Sequence, residues 1–530
     1  MSQGFIRGAF LITMGSIIAK IIGSLFRIPL QNIAGNQVFG IYTLVYPVYM
    51  VALTIAGAGI PLAISKLIAE NRNNGNNRAI QEIFRTSRIL AMILGGGSFI
   101  LIVCYSHMIA ELLGGQMTRL ALIIVSTTLL VAPFMAVYRG FFQGYENMIP
   151  TASSQVIEQF VRVGFILGVA FILVHRDLSP TIITAGVMAG SIVGASISTA
   201  YLCGVYHRSK FVEKKEIHFS LKVFIHWSKK ILAISIPICI GSMSLAAVYF
   251  IDSITVPTLL NKFGHEKDAI TELYGFYGRG QALVQMVVVL AQSLVLSIIP
   301  TITSALVKGN KLEVQNITDK AIHFTHLISW PLTVGLCVLT TPLNYSLFGD
   351  VRETVLVSTT LFSALFTAFS VLSTGILQGL NRSIFSAIII MGCSLLKVVL
   401  NIILIEKYSL IGVAISTIIV FATMTLLNFM MVSNLTGVKV WKLKHSVFAG
   451  SALVQGFLIS IPYHWVKILE WSRIEALAYT VFIFLIGLGI YGVSIVVFKG
   501  ISIMEVTKIP IIGKCFRPTS YKIGKTRYFK

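Results

Sequence analysis

Long apolar runs alternate with short polar segments along the whole chain, which predicts a bundle of membrane-spanning helices. A helix needs about 20 predominantly apolar residues to cross a bilayer. Fourteen runs of this kind occur, with approximate bounds 9–31, 41–65, 89–106, 119–139, 156–174, 182–206, 231–259, 281–304, 321–345, 355–378, 384–405, 410–435, 446–466 and 475–498. We number them spans 1 to 14 and predict an all-α integral membrane protein with 14 transmembrane helices.

Composition excludes a soluble protein. Of the 530 residues, 55% are hydrophobic and 12% are charged, and the mean hydropathy is +0.84. A soluble domain carries about 25% charged residues, so this chain lacks the polar groups that would cover a water-exposed surface. We therefore expect a multi-pass protein of the plasma membrane.

The distribution of basic residues predicts the orientation. The chain has 42 Lys and Arg against 20 Asp and Glu. Counting the end residues Arg119 and Arg139 of span 4 with the adjoining loops, 29 of the 42 lie at the termini and in the loops after even-numbered spans, and nine lie in the other loops. Short basic loops stay on the cytoplasmic side, so both termini are predicted to be cytoplasmic. This excess indicates topology and contact with anionic membrane lipid rather than binding of nucleic acid.

The six cysteines show neither a CxxC pair nor the spacing of a metal site, and five of them lie in apolar runs. Small buried apolar side chains are the simplest interpretation. His323 and His326 lie three residues apart without a third ligand nearby. We predict no metal and no cofactor.

An internal repeat divides the chain. The segment Gly140–Gly144 (GFFQG) matches Gly375–Gly379 (GILQG) at an offset of 235 residues, and Ile60-Pro61 matches Ile299-Pro300 at an offset of 239. Spans 1–6 and 7–12 therefore form two parallel six-helix repeats, and spans 13 and 14 are additional. The predicted divisions are an N-lobe (1–210), a basic cytoplasmic linker (211–230), a C-lobe (231–435), spans 13–14 (436–499) and a basic cytoplasmic tail (500–530).

This arrangement resembles the multidrug/oligosaccharidyl-lipid/polysaccharide (MOP) exporter superfamily. The GxxQG ends of spans 4 and 10 and the Ile-Pro pairs of spans 2 and 8 carry the resemblance. The two additional spans resemble the branch of MurJ-type lipid II flippases and stage V sporulation protein B-like polysaccharide exporters. The resemblance implies a V-shaped pair of helical bundles around a central cavity. It also implies transfer of a polyprenyl-diphosphate-linked saccharide from the inner to the outer leaflet.

Charged residues inside spans are costly and therefore indicate function. Lys20 and Arg27 in span 1 are seven residues apart, which places both on one face about 10 Å apart. No acid lies in span 1, and two unpaired cations suit a diphosphate. The alternative is that either side chain extends to a membrane interface. Arg279, between Gly278 and Gly280, opens span 8. The resemblance implies that Lys20, Arg27 and Arg279 line the cavity and bind substrate.

Three further charges are candidates. Arg162 and Lys397 are related by the repeat, and we predict that both contact substrate. Glu158 lies one turn before Arg162, so an ion pair within the helix is an alternative. Asp252 in span 7 is a candidate for coupling transport to a proton or sodium ion; a salt bridge with a cavity cation is the alternative.

The predicted function is therefore a flippase or exporter of a lipid-linked saccharide, working by alternating access as a monomer. An ion-coupled multidrug antiporter is the first alternative, although its cationic substrates would need acidic cavity walls. A membrane glycosyltransferase or acyltransferase is the second. It would need positioned acids or a histidine, which the short outer loops do not offer, so we predict that the chain is not an enzyme.

Overall fold

The computed structural model describes residue 15 and residues 18–57, 59–209 and 220–500. These residues form helices joined by short loops, and no strand occurs among them. This confirms the predicted all-α class. The start of span 1, the first nine residues of the predicted linker and nearly all of the predicted tail lie outside the described residues.

The described part of the first half contains nine helices. They are α1 (18–25), α2 (Arg27–Gly57), α3 (Ile60–Asn73), α4 (Asn77–Cys104), α5 (Ser106–Leu112), α6 (Arg119–Ser126), α7 (Ala132–Gly144), α8 (Ile149–Val174) and α9 (Pro180–Arg208). The described part of the second half contains nine more. They are α10 (Leu221–Ser242), α11 (Ser244–Lys262), α12 (Lys267–Val307), α13 (Lys311–Val338), α14 (Thr340–Phe348), α15 (Thr354–Gly379), α16 (Ser383–Thr436), α17 (Leu443–Ser460) and α18 (Arg473–Val497).

The described helices lie at the positions of the predicted spans. Among the described residues, 11 helical stretches are long and apolar enough to cross a membrane. Two of these, of 56 and 54 residues, each contain a non-helical residue, Gly35 (φ 80°) and Ser409 (φ 50°). The chain reverses there, because Phe26 packs on Tyr42 across the first break and Lys397 bonds to Thr417 across the second. Dividing both stretches gives thirteen apolar segments. α17, which is 18 residues long, lies at the position of predicted span 13.

The two repeats also share a backbone feature, a left-handed glycine followed by an asparagine that caps the next helix. Gly75 and Gly309 have φ of 66° and 67°. The asparagine that follows each of them caps α4 or α13 by accepting a hydrogen bond from the backbone N–H three residues later. Both GxxQG segments end a helix, α7 and α15, as predicted. The repeat therefore extends to the way the helices begin and end.

Each GxxQG segment packs tightly on a helix of its own repeat. α7 contacts α3, and α15 contacts α12. A Cβ atom on Gly140 would lie 2.8 Å from the carbonyl oxygen of Pro61, and one on Gly375 would lie 2.5 Å from the side chain of Val295. Glycine is needed at these positions because the neighbouring helix leaves no room for a side chain.

Span 7 differs from its prediction. It is two helices, α10 and α11, that meet at Met243. α10 begins at Leu221, so the second half of the predicted linker is helical. α10 contacts α3 and α4 of the first half, whereas α11 contacts α2 and α16. Two prolines, Pro237 and Pro257, lie inside these helices. Span 7 thus connects the two repeats along its length.

The last two spans form a separate pair. α17 contacts α13 and α18, and α18 contacts α14. Spans 13 and 14 therefore lie beside the second repeat, next to span 9.

Candidate functional site

A cavity of about 440 Å³ lies between the two repeats. Helices α1, α2, α7 and α8 line it from the first repeat, and α11 and α12 from the second. Its charged and hydrogen-bonding side chains include Lys20, Arg27, Tyr46, Arg139, Gln155, Glu158, Gln159, Arg162, Tyr249, Gln281, Gln285 and Gln292.

Three basic side chains of the first repeat converge in this cavity. Lys20, Arg27 and Arg162 all line it. The guanidinium carbons of Arg27 and Arg162 lie 5.6 Å and 5.3 Å from the centre of the Tyr46 ring, one cation–π contact each. The buried Nε atoms of both arginines lack a hydrogen-bond partner. Lys20 and Arg27 therefore share a face, as their spacing predicts, and line the cavity.

Glu158 does not neutralise Arg162. Its carboxylate accepts a hydrogen bond of 2.8 Å from Nη2 of Arg139, which also donates through Nε to Ser154. The alternative of an ion pair within α8 is therefore wrong, because Glu158 pairs with Arg139 and not with Arg162. Among the described residues that line the cavity, Glu158 is the single acid and Arg139 balances it, so three positive charges remain.

The opposite wall carries amides. Gln281, Gln285 and Gln292 of α12 line the cavity at spacings of four and seven residues, which places them on one face of the helix. Nε2 of Gln281 is buried without a hydrogen-bond partner. The cavity is therefore cationic on one side and polar but uncharged on the other.

Arg279 does not share this cavity, which corrects the sequence prediction. It lines a second cavity of about 870 Å³, together with Gly35 and Asp350. Its side chain is 1% exposed and bonds to three residues. Nη2 and Nε donate to Oδ1 of Asn36 (2.6 and 3.1 Å), Nη1 to Asn344 (3.3 Å) and Nη2 to Asp350 (3.3 Å). Arg279 thus joins α12 to the break in α2.

Helices α2 and α12 approach each other closely beside Arg279. A Cβ atom on Gly40 would lie 1.8 Å from the carbonyl oxygen of Thr271, and one on Gly275 would lie 2.3 Å from that of Asn36. Asp350 adds an ionic contact. Burial raises the pKa of this carboxyl, but the backbone N–H of Arg352 and the guanidinium groups of Arg279 and Arg352 lower it by more. The net pKa lies below its ordinary value, so Asp350 is ionised at neutral pH.

Lys397 and Asp252 pair with each other, away from the cavity. Nζ of Lys397 lies 3.0 Å from Oδ1 of Asp252, and both side chains are 0% exposed. The predicted contact of Lys397 with substrate is therefore not what the structure shows. Asp252 does not pair with Lys20 or Arg27 either; its partner belongs to the same repeat. Asp252 does form a salt bridge, as the alternative predicted, but its partner is Lys397 and not a cation of the cavity.

This pair lies inside a hydrogen-bonded network. Nζ of Lys397 also donates to Oγ of Ser416 (2.7 Å), Oγ1 of Thr417 (2.6 Å) and the carbonyl oxygen of Val413 (3.2 Å). Asp252 accepts further bonds from Asn401 (2.9 Å) and Tyr277 (3.0 Å). Oxygen atoms therefore surround the ammonium group, and donors surround the carboxylate. The result is a neutral, fully bonded core between α11, α12 and α16.

Sequence reasoning missed Arg139, Tyr46 and the glutamines. Arg139 is the last residue of span 4 and was counted with the cytoplasmic loop that follows, so it was not considered as a charge inside a span. The glutamines could have been found, since three amides on one face of an otherwise apolar helix are unusual. Tyr46 gave no signal, because a tyrosine in a membrane helix is common.

The chain matches known proteins over most of its length. A family model described as "Polysaccharide biosynthesis protein" matches residues 5–306. The lipid II flippase MurJ of Bacillus subtilis (strain 168) is 27% identical over 507 residues, covering 89% of each chain. Stage V sporulation protein B of the same organism is 24% identical over 522 residues, covering 97% of this chain and 99% of that protein.

Solved structures share the fold. The structure titled "Lipid II flippase MurJ, inward closed conformation" superimposes with a TM-score of 0.65 and 15% identity, covering 91% of this chain and 98% of that chain. An inward-facing multidrug resistance MATE family transporter of the MOP superfamily has the same TM-score, 14% identity and coverage of 81% and 98%. The family match confirms the predicted relation to polysaccharide biosynthesis proteins, and the solved structures show the same fold. None of the four names is that of an enzyme.

Proposed function

Because the chain belongs to the polysaccharide biosynthesis protein family, we propose that it is a flippase for a polyprenyl-diphosphate-linked saccharide. It would move this lipid from the inner to the outer leaflet of the plasma membrane. One observation carries the proposal: Lys20, Arg27 and Arg162 bring three uncompensated positive charges into a cavity between the repeats.

The chemistry of the cavity suits such a substrate. Burying unpaired cations at membrane depth is costly unless an anion or water accompanies them. A diphosphate offers two or more negative charges and several acceptor oxygens, which arginine can bind through two parallel hydrogen bonds. The amides of Gln281, Gln285 and Gln292 can donate to and accept from sugar hydroxyls. The diphosphate would bind beside α1, α2 and α8, and the saccharide along α12.

The same charge argues against the antiporter alternative. A cationic drug would enter a cavity that already carries three positive charges and would be repelled. The likeness to a multidrug transporter, at 14% identity, concerns the fold alone.

Alternating access requires contacts that form and break at the two ends of the cavity. We propose that Arg279, with Asn36 and Asp350, closes the outer end. Arg279 would then act as a gate residue, since its guanidinium group is fully engaged by protein oxygens.

The role of Asp252 in ion coupling is also a proposal. With Lys397 at 3.0 Å, a proton or sodium ion could replace the ammonium group only after the pair separates. Transport into vesicles with an imposed proton or sodium gradient tests this. A coupling role predicts that Asp252→Asn loses the response to the gradient. An equal response in both proteins would assign Asp252 a structural role.

Both termini are proposed to be cytoplasmic. His265→Cys, in the α11–α12 loop, should then react with an impermeant maleimide from outside the cell, and Arg78→Cys should not. Labelling of both from the same side would contradict this topology. Gly264 is a poor tagging site, because its φ of 89° disfavours any side chain.

Complementation tests the function itself. Expression of this chain in a bacterium depleted of its own lipid II flippase is expected to restore growth and the appearance of lipid II in the outer leaflet. Lys20→Ala, Arg27→Ala and Arg162→Ala should each abolish rescue at unchanged membrane abundance. Lys407→Ala, which removes an exposed cation outside the cavity, is the matched control.

Normal rescue by the three cavity variants would refute the anion site. Failure of the wild-type chain alone, with a working assay, would point to a different glycan on the same carrier. Binding of other polyprenyl-diphosphate saccharides to the purified protein and to Arg162→Ala would then identify it.

A further inference from the structure

A third cavity, of about 500 Å³, lies on the side of the second repeat, between α13, α15 and α16. Its inner wall is buried and apolar and includes Leu365, Phe369 and Phe429. Two lining side chains of α16, Leu426 and Met430, are 62% and 56% exposed. In a membrane, the cavity therefore opens sideways to the lipid.

The polarity of this lateral cavity changes along its length. Ala422, Leu426 and Met430 line one end of α16, and Ser433 and Asn434 line the other. From Ala422 to Asn434 the helix rises about 18 Å. Trp441, 55% exposed, lies at the polar end, where α16 has ended. A tryptophan in such a place is typical of the membrane–water interface. The cavity is therefore apolar at one end and polar at the other, which matches a lipid with a long apolar chain and a polar headgroup.

His326 supplies a free donor at the polar end. The side chain is 2% exposed and lines the cavity. Trp330 donates to its Nδ1 (3.2 Å), so a neutral ring carries its proton on Nε2. That Nε2 is buried and has no hydrogen-bond partner. A buried donor without an acceptor is unfavourable, so the geometry calls for an acceptor oxygen from a bound molecule.

Basic residues flank Trp441 along the chain. Lys439 and Lys444 are exposed on either side of Trp441. Lys442 lies between them and pairs with Asp319. The predicted topology places this loop on the cytoplasmic side, where anionic lipids attract basic residues.

We propose that the lateral cavity binds an anionic diacyl phospholipid of the cytoplasmic leaflet. One acyl chain would lie along α16 between Phe366 and Leu426, an ester or phosphate oxygen would accept the hydrogen bond of His326 Nε2, and the headgroup would contact Lys439 and Lys444. This site is separate from the cationic cavity, and the proposal does not depend on the transported substrate.

Tryptophan quenching by brominated lipids measures occupancy directly. The chain has five tryptophans. Replacing Trp227, Trp465 and Trp471 by Phe leaves Trp330 and Trp441, which both line the cavity. The full-length protein in nanodiscs is titrated with phosphatidylglycerol that carries brominated acyl chains, and separately with brominated phosphatidylcholine. We expect an apparent affinity about 30-fold higher for phosphatidylglycerol, because two lysines contact the headgroup.

Variants locate the site. Ala422→Phe fills the apolar end and should remove the preference for phosphatidylglycerol; Ile419→Phe, one turn away on the lipid-facing surface, should keep it. His326→Phe preserves an aromatic ring but loses the donor, and should weaken binding severalfold. The pair Lys439→Gln with Lys444→Gln should bring the two lipids to equal affinity, whereas Lys308→Gln with Lys311→Gln should not.

Equal quenching by both lipids in the unmodified cavity would overturn the proposal, as would identical behaviour of Ala422→Phe and Ile419→Phe. If undecaprenyl phosphate relieves the quenching and phosphatidylglycerol shows no preference, the cavity holds an isoprenoid chain instead. Should Ala422→Phe fail to fold, the surface lysine variants decide the question alone.

Discussion

Arg162 and Lys397 occupy equivalent positions in the two repeats, 235 residues apart, yet their surroundings differ. Arg162 lines the cationic cavity, contacts the ring of Tyr46 and has no acid partner among the described residues. Lys397 lies in a closed core, where Asp252 and three further oxygen atoms bind its ammonium group. One repeat keeps its cation available, and the other neutralises it.

The difference suggests a division of labour between the repeats. A cation without a partner is useful only where a ligand supplies the counter-charge. A buried pair with complete hydrogen bonding contributes little net stability, but it becomes costly when one partner is removed. We therefore expect substitutions in the first repeat to reduce transport and substitutions at the Asp252–Lys397 pair to reduce stability.

The largest effect is expected for Lys397→Met compared with Arg162→Met. Lys397→Met leaves the Asp252 carboxylate buried without its counter-charge and should lower the free energy of unfolding by about 3–5 kcal/mol. Arg162→Met should fold normally and fail to transport. Thermal unfolding in detergent and membrane abundance measure the contrast. The double variant Asp252→Asn/Lys397→Met should recover most of the stability; no recovery would mean that packing, not charge, is responsible.

A second comparison concerns the sign of the charge in the cavity. Arg27→Glu should reduce transport of a diphosphate-linked substrate by about 100-fold or more, because repulsion replaces attraction. Arg27→Lys keeps the charge and should retain part of the activity. If the two variants transport equally, the cavity does not select its substrate by charge.

A smaller effect is expected at the outer contact. Arg279→Ala should increase labelling of Thr43→Cys by an impermeant reagent from outside by about tenfold, since charged hydrogen bonds between α12 and α2 are lost. Arg352→Ala is the control: it also binds Asp350, at 3.0 Å, but is 64% exposed and does not reach α2. Equal labelling in both variants would exclude a gate at Arg279.

The same contact predicts a dependence on pH. The pKa of Asp350 is lowered in the folded protein. The stabilisation that its ionised form gives to the outer contact is therefore complete above the ordinary pKa range of a carboxyl group, and it is lost as the pH falls through the lowered pKa. Opening of the contact should therefore increase only in strong acid. Because thiol labelling itself slows in acid, labelling of Thr43→Cys at each pH is compared with its labelling in the Asp350→Asn background, and the two rates should converge only there. Asp350→Asn should label at the higher rate throughout and lose this dependence.

The smallest effect is expected on the amide side of the cavity. Gln285→Ala should reduce transport about fivefold, the value of one neutral hydrogen bond. Gln378→Ala, at the GxxQG end of α15 and outside the cavity lining, is the control. A loss comparable to that of Arg27→Glu would show that the amides, rather than the cations, dominate binding.

Local patterns in the sequence were sufficient to predict the all-α class, the positions of the spans and the relation between the two halves. Apolar runs of about 20 residues have one stable environment, because their backbone must bond internally within lipid. The repeated GxxQG and Ile-Pro segments established the relation between the two halves. The seven-residue spacing of Lys20 and Arg27 was also sufficient to place both on one face, since helix geometry is local.

Tertiary structure decided which charges meet. Local spacing favoured Glu158 as the partner of Arg162. In the structure, however, the Glu158 carboxylate pairs with Arg139, which lies 19 residues away in the sequence. Asp252 and Lys397 are 145 residues apart and pair because α11 packs against α16. Arg279 was predicted to lie with the cations of span 1, yet the close approach of α2 and α12 directs it to Asn36. Ion pairs depend on distances of a few ångströms between helices, and the hydrophobic pattern of a sequence does not specify those distances.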